Sequence, residues 1–368
     1  MGENFQSLKC LPLYEFHQKA GARFGSFAGW NMPLTYPMGV MKEHLHTRAK
    51  AGLFDISHMK LIAIEGHEAE RFLSFALPIA ADQMAIQQAR YNYLLDERAG
   101  ILDDLIVTRL SEARFMMVAN AGNWEADVAY LRERASGFSC EIIPLERVIL
   151  ALQGPLTPEI LARVGFGGGA LRFMQGYEPK PGWFISRSGY TGEDGFEISV
   201  PFDEGAMVAE TLLREKEVAW IGLAARDSLR LEAGLCLHGA DISCDTTPIE
   251  AGLGWAVPKA VREAGVFYGA DAYRQAVKAT PVRRRVGLKP ETRQPVRAGA
   301  KLFDKAGELV GEVTSGGFGP SFGGPVAMGY VAIDYAGIGT KLYAEVRGKT
   351  VVVSVHGLPF VEQRYFKG

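Results

Sequence analysis

The sequence predicts a multi-domain α+β protein that ends in a small all-β barrel or sandwich, and three observations carry that reading. Its 368 residues exceed one typical domain. Over roughly the first 280 residues, segments of helical and strand period interleave without the strict alternation of a βαβ chain. From about residue 281 short β-rich runs follow one another between Gly- and Pro-rich turns. We therefore expect a domain boundary near residue 280, with no internal repeat on either side of it.

Taken in order, 38-MGVMKEHLHTRAKAG-52 reads as a helix stopped by Gly52. The run 58-HMKLIAIEG-66 alternates as a strand does, and 67-HEAERFLSFAL-77 returns to helical spacing. Residues 91-YNYLLDERAGILDDLIVTRL-110 form two strands around a D-E-R-A-G turn, 114-RFMMVAN-120 a third strand, and 124-WEADVAYLRERA-135 an amphipathic helix. Further on, 155-PLTPEILARV-164 is helical, 196-FEISV-200 is a strand, and 222-GLAARDSLRLEAGLCLHGADI-242 reads as a helix. The final strands are 283-RRRVGL-288, 309-LVGEVTS-315, 326-VAMGYVAI-333 and 350-TVVVSVH-356.

Composition excludes several classes. A formal net charge of −2, with 283-RRR-285 as the densest basic cluster, offers nucleic acid no footprint. No apolar run approaches the ~18 residues of a membrane span. The opening MGENFQSLKC lacks both the apolar core of a signal peptide and the arginines of a transit sequence. Cys10, Cys140, Cys236 and Cys244 form no C-x-x-C, which suits free thiols in a reducing compartment. We expect a soluble, cytoplasmic, bacterial-type protein. His44 and His46, two apart on a helix, diverge from each other, and with His58 they make no metal-ligand spacing. The run 165-GFGGGA-170 imitates a dinucleotide fingerprint but follows a helix rather than a strand, so it reads as a helix stop.

Three places carry polar residues where a core is expected. In 100-GILDDLIV-107 two aspartates interrupt an apolar strand. Successive side chains of a strand point to opposite faces, so Asp103 and Asp104 should not share a partner. At least one of them must line a polar pocket or collect hydrogen bonds; the plainer alternative is an aspartate serving the turn. In 187-RSGYTGEDGFEISV-200, Glu197 stands alone among apolar neighbours behind glycines 189, 192 and 195, which let backbone approach a ligand or adopt φ > 0. A carboxylate there suits an amidine-like donor edge, unless it faces solvent. Arg226 and Arg230 lie one helical turn apart with Asp227 and Glu232 nearby. Either all four form ion pairs, or one guanidinium leaves the network to grip an anion or carbonyl.

These segments resemble the aminomethyltransferase, or T-protein, family of the glycine cleavage system nearly end to end. The resemblance runs through 11-LPLYEFHQKAGARFGSFAGWNMPLTYP-37, 52-GLFDISHM-59, 100-GILDDLIVT-108, 118-VANAGNWEADV-128 and 150-LALQGP-155. It continues through 189-GYTGEDGFEISV-200, 222-GLAARDSLRLEAGLCLHGADI-242, 246-TTPIEAGLGWAV-257, 283-RRRVGL-288, 326-VAMGYV-331 and 358-LPFVEQRY-365. It implies a cloverleaf: two ferredoxin-like or related α+β lobes, roughly 1–50 plus 145–280 and 51–144, forming the folate-binding region, and a C-terminal antiparallel β-barrel over 281–368. It implies tetrahydrofolate as cosubstrate, the lipoylated H-protein as partner and no metal. N5 of the folate would take the methylene of the S–CH2–NH3+ arm as ammonia leaves, and N10 would close the ring to 5,10-methylenetetrahydrofolate, leaving the reduced dihydrolipoyl arm.

The resemblance implies roles for residues as well. Asp104 would face the folate amines as the catalytic carboxylate, with Asp103 structural. Glu197 would bind the pterin donor edge and Arg226 its carbonyl side. Tyr91, Val118, Asn120, Tyr190 and Tyr365 would line the folate site, and Arg285 the entrance of the lipoyl arm. Two departures stand out: 321-SFGGPVAMGYV-331 has glycines where the family often has a basic residue, and Lys60 replaces a common glycine, which reads as a surface variation. A different tetrahydrofolate-dependent demethylase on the same scaffold is the alternative. A folate-binding relative in iron–sulfur maintenance carries K-G-C-Y-x-G-Q-E where this chain has R-S-G-Y-T-G-E-D.

Overall fold

In a computed structural model that describes residues 8–368, the chain forms three layered units around one cavity. The N-terminal reading of residues 1–7 lies outside the described residues. The first unit is a six-stranded mixed sheet, ordered Gln175–Tyr177, Phe184–Arg187, Gly195–Val200, Val148–Gln153, Ala51–Asp55 and Val218–Trp220. Its fourth and fifth strands, Val148–Gln153 and Ala51–Asp55, are buried along their whole length, as strands covered on both faces must be. A core of Leu53, Leu150, Leu152, Ile185, Phe196 and Ile198 packs it against helices Thr157–Val164 and Phe202–Leu213. A smaller sheet at the N-terminus pairs Arg23–Phe27 with Trp30–Thr35.

The second unit is a five-stranded antiparallel sheet in the order Ala89–Leu95, Ile101–Arg109, Arg114–Ala119, Lys60–Glu65 and Glu141–Leu145. Helices Ala69–Ala76 and Trp124–Arg134 cover one face through Phe72, Leu73, Val128 and Leu131. The third is a closed six-stranded antiparallel barrel that begins at Arg283. Its last strand, Lys349–His356, buries every second residue, which places Val351, Val353 and Val355 in the barrel core.

Several sequence expectations change here. Helix Val40–Ala49 ends before Gly52, which instead sits inside strand Ala51–Asp55. A Cβ at Gly52 would meet Thr47 Oγ1 at 2.4 Å and Ile221 at 2.7 Å, so glycine serves close packing there rather than a helix stop. That strand pairs with Val148–Gln153 and Val218–Trp220, so the lobe border expected at residue 50 falls after Asp55. Residues 236–273 do not stay with the first lobe either. Cys236, Ile242, Leu253, Phe267 and Tyr273 pack on Tyr93, Leu95 and Ile101 of the second sheet. The helix expected across 222–242 stops at Glu232, where Gly234 takes a left-handed φ of +71° and turns the chain. Lys60 is buried, not superficial: its ammonium meets Glu146 and lies 4.6 Å from the centre of the Trp124 ring.

Candidate active site

The three units enclose a cavity of about 1480 Å³. That exceeds the several hundred Å³ typical of a single drug-sized ligand, and it leaves room for two reactants to meet. Tyr91, Asp104, Val118, Asn120, Tyr190, Glu197, Arg226, Arg285 and Tyr365 all line it, although they come from six separate stretches of chain. Asp103 does not.

The aspartate pair follows from strand alternation. Along Ile101–Arg109 the first six residues alternate between buried and half-buried, and Asp104 falls on the half-buried face with Leu102 and Ile106. Asp103, on the other face, is fully buried. Tyr91 donates its hydroxyl to Asp104 Oδ2 at 2.9 Å from the adjacent strand. The expectation that the two carboxylates share no partner fails. Asn120 Nδ2 donates to Asp103 Oδ1 and to Asp104 Oδ1, each at 2.9 Å. Asn120 lies one step past the end of strand Arg114–Ala119, so its amide meets the neighbouring strand end-on and reaches round both faces. Asp103 collects Asn123 Nδ2 as well, at 3.1 Å. Burial, and then the adjacent Asp103, push the Asp104 carboxyl up to about 6.

Across the cavity, Glu197 is the one half-buried residue of strand Gly195–Val200. It accepts the Ser188 hydroxyl at 2.7 Å and forms no ion pair among the described residues. Of the three glycines before it, Gly192 takes a left-handed φ of +79°, while Gly189 and Gly195 serve Gln153 rather than a ligand. A Cβ at Gly189 would come within 1.9 Å of Gln153 Oε1, and one at Gly195 within 2.5 Å of its Nε2. Gln153 in turn holds the loop by accepting the Thr191 hydroxyl and donating to Ser188 O.

The two arginines of helix Leu223–Glu232 separate. Arg230 pairs with Asp227 and Asp241 at 2.8 and 2.7 Å and also reaches Ser315 of the barrel. Arg226 forms no ion pair among the described residues. It sits 4.8 Å from the centre of the Tyr190 ring, its Nη2 touches Met59 Sδ at 3.9 Å, and its buried Nη1 has no acceptor among the described residues. Burial lowers its pKa, while Glu197 works the other way. Burial and then Arg226 hold His58 beside it neutral, down to about 3. A buried guanidinium with idle donors is costly unless an acceptor arrives.

Tyr190 anchors to the Cys236 carbonyl, and Tyr365 stacks on Phe173 with ring centres 3.8 Å apart. Arg285 spends its donors on Ala251 O and Gly234 O, tying the first barrel strand to the cavity wall. The three histidines have separate partners: His44 meets Ser228 and Glu232, His46 meets Glu217 O, and His58 lies edge-on to Phe27. Trp255 and His238 belong to the same wall and escaped the sequence reading, although both lie within segments that carry the resemblance. Trp255, 70% exposed, stacks on Tyr91 at 5.6 Å. Only an exposed tryptophan in a glycine-rich segment could have pointed to it.

Residues 13–260 match the GCVT N-terminal domain and residues 283–362 the glycine cleavage T-protein C-terminal barrel domain. The chain belongs to the glycine cleavage T-protein family. It is 39% identical over 376 residues to the mitochondrial aminomethyltransferase of Flaveria anomala and 40% identical over 369 residues to that of Homo sapiens. Each match covers 98% of this chain and 91% of the relative. The crystal structure of glycine cleavage system aminomethyltransferase T from Bartonella henselae superposes with a TM-score of 0.97 at 66% identity, covering 98% of this chain and 100% of that one. This T-protein family member is thus an aminomethyltransferase of the glycine cleavage system, a transferase on a mixed α+β frame with a closed C-terminal barrel. Among the described residues no helix is long and apolar enough to cross a membrane.

Proposed function

We propose that this chain moves the methylene carbon from the aminomethylated dihydrolipoyl arm of H-protein to tetrahydrofolate, breaking its bonds to nitrogen and sulfur, so that ammonia, the free dihydrolipoyl thiol and 5,10-methylenetetrahydrofolate are formed. The observation that carries this reading is a single cavity in which two carboxylates, Asp104 and Glu197, share the wall with Arg226, a buried cation that forms no ion pair among the described residues. Glu197 accepts the parallel donors of the pterin edge, and Arg226 supplies its idle Nη1 to the carbonyl side. Tyr91, Val118, Asn120, Tyr190 and Tyr365 shape the folate site, and Arg285 stands where the arm enters.

Asp104 acts by position and charge. Tyr91 and Asn120 orient it, and it accepts a hydrogen bond from the folate amine that loses its proton while favouring the positive charge that develops beside it. Its raised pKa also lets it hold that proton briefly near neutrality. The proposed chemistry calls on no metal. We assign catalysis to the region 1–280 and closure of the cavity to the barrel 281–368. We place the protein in a bacterial cytoplasm, which the likeness to a bacterial structure supports and the mitochondrial relatives leave open.

The test is ammonia release from purified, aminomethylated H-protein with and without tetrahydrofolate. Folate-dependent ammonia, matched by methylenetetrahydrofolate, is the expected result. Folate binding without ammonia would sink the proposal and point to another substrate for the same pocket.

A further inference from the structure

Behind Asp103, away from the cavity, lies a third carboxylate. Asp127 sits in the first turn of helix Trp124–Arg134, 3% exposed, and its Oδ2 meets no donor among the described residues. It lies within hydrogen-bonding reach of Asp103. Two buried carboxylates in contact, with no N–H or O–H between them, are stable only when they share a proton.

The surroundings supply no cation to remove that need. Asp103 and Asp104 face Asp127 from strand Ile101–Arg109. His238 comes over from the loop after helix Leu223–Glu232, its Nδ1 3.7 Å from Asp103 Oδ1. It spends that nitrogen on Asn123 Nδ2 at 2.8 Å. Lys60 on the neighbouring strand is committed to Glu146, and Glu125 on the same helix turns outward to Lys9. Among the described residues no Lys or Arg forms an ion pair with any of the three aspartates. Burial, and after it Asp103, raise the Asp127 carboxyl to about 9.

A chain of contacts leads from there to the cavity. Asn120 Nδ2 bonds Asp103 on the buried face and Asp104 on the cavity face, and Asn123 secures Asp103 from the start of the helix that carries Asp127. We propose that Asp127 is a positioning residue of this reaction: it carries a proton that it donates to Asp103, and through Asp103 and Asn120 it holds the Asp104 carboxylate toward the cavity. This rests on Asp104 being the catalytic carboxylate.

The proposal separates two isosteric or near-isosteric changes. Asp127→Asn keeps a donor to Asp103 but has no proton to lose, whereas Asp127→Leu keeps bulk and loses the donor. We expect Asp127→Asn to hold wild-type kcat at neutral pH and to lose the alkaline decline that wild-type turnover shows as Asp127 ionises. We expect Asp127→Leu to lose up to about 100-fold in kcat through misplacement of Asp104, with the KM for tetrahydrofolate unchanged. Infrared difference spectra of wild type against Asp127→Asn at pH 8 read the proton directly, as loss of one protonated-carboxyl band. Absence of that band in wild type would overturn the proposal. So would an alkaline limb unchanged in Asp127→Asn, or an Asp127→Leu protein that loses thermal stability alone. An Asp127→Leu protein that does not fold leaves the band and the Asp127→Asn profile to decide. Turnover surviving in Asp104→Asn would instead sink the assignment of Asp104 and leave the infrared result standing.

Discussion

Two buried clusters of acid in this protein obey opposite electrostatics. Around Glu232, fully buried at the end of its helix, the environment is built for negative charge. Its Oε2 accepts Arg48 Nη2 and His44 Nε2, each at 3.0 Å, and its Oε1 accepts the backbone N–H groups of Ser321 and Phe322 at 2.7 and 3.0 Å. Burial pushes its pKa up, but the His44 bond, the Phe322 N–H and Arg48 outweigh that and hold it down to about 2. Around Asp103, Asp104 and Asp127 the hydrogen bonds among the described residues come from neutral amides and a tyrosine hydroxyl, with His238 standing 3.7 Å from Asp103, and the carboxyls of Asp104 and Asp127 rise. Glu232 joins helix Val40–Ala49, its own helix and the barrel, so it acts as a structural rivet. The aspartates are left short of cations beside the cavity, where strain of this kind serves chemistry.

The comparison breaks most sharply at Asp104. Asp104→Asn should lower kcat by about 10²- to 10⁴-fold while unfolding is little changed, and ammonia release read beside a melting curve checks both. Substantial turnover in that variant would remove Asp104 from the chemistry. Glu232→Ala should do the reverse: loss of a buried, ion-paired carboxylate costs about 3–5 kcal/mol, visible in urea unfolding, because Arg48 is left buried with one partner fewer. A smaller shift would mean that the barrel and lobes hold together without it.

Glu197→Gln tests the opposite wall. It keeps the shape but replaces one acceptor oxygen with a donor, and tetrahydrofolate binding should weaken about 10-fold, with kcat largely kept. Unchanged affinity by calorimetry would exclude Glu197 from the pterin contact.

The smallest effect is in pH. Glu232, lowered from 4.5 to about 2, contributes stability that is present above pH 4.5 and lost as pH falls toward 2. Asp127, raised from 3.8 to about 9, contributes in the other direction: its share is complete below pH 3.8 and is lost as pH rises through 9. Asp127→Asn should therefore melt higher than wild type at pH 8 and no higher at pH 4. A difference that does not change between these two pH values would contradict the shared proton.

Much of this was legible along the chain. The hairpin of strands Ala89–Leu95 and Ile101–Arg109, the helix Trp124–Arg134 and the barrel strands follow from period and turn residues, because local spacing decides which side chains share a face. The positions that the family resemblance singled out do share one cavity, but Lys60, Gly52 and glycines 189 and 195 were misread. Each is set by a neighbour distant in sequence: Glu146 and Trp124 for Lys60, Ile221 for Gly52, Gln153 for the two glycines.

By itself the sequence determined the fold class, the family and the alternation that turns Asp104 to one face and Asp103 to the other. The tertiary structure alone decided that Asn120 joins the two across the end of a strand, that Arg226 finds no ion-pair partner among the described residues while Arg230 is neutralised, and that Asp127 lies against Asp103. Periodicity is a property of neighbours in the chain, whereas the state of a buried charge depends on every polar group that folding brings within a few ångströms of it.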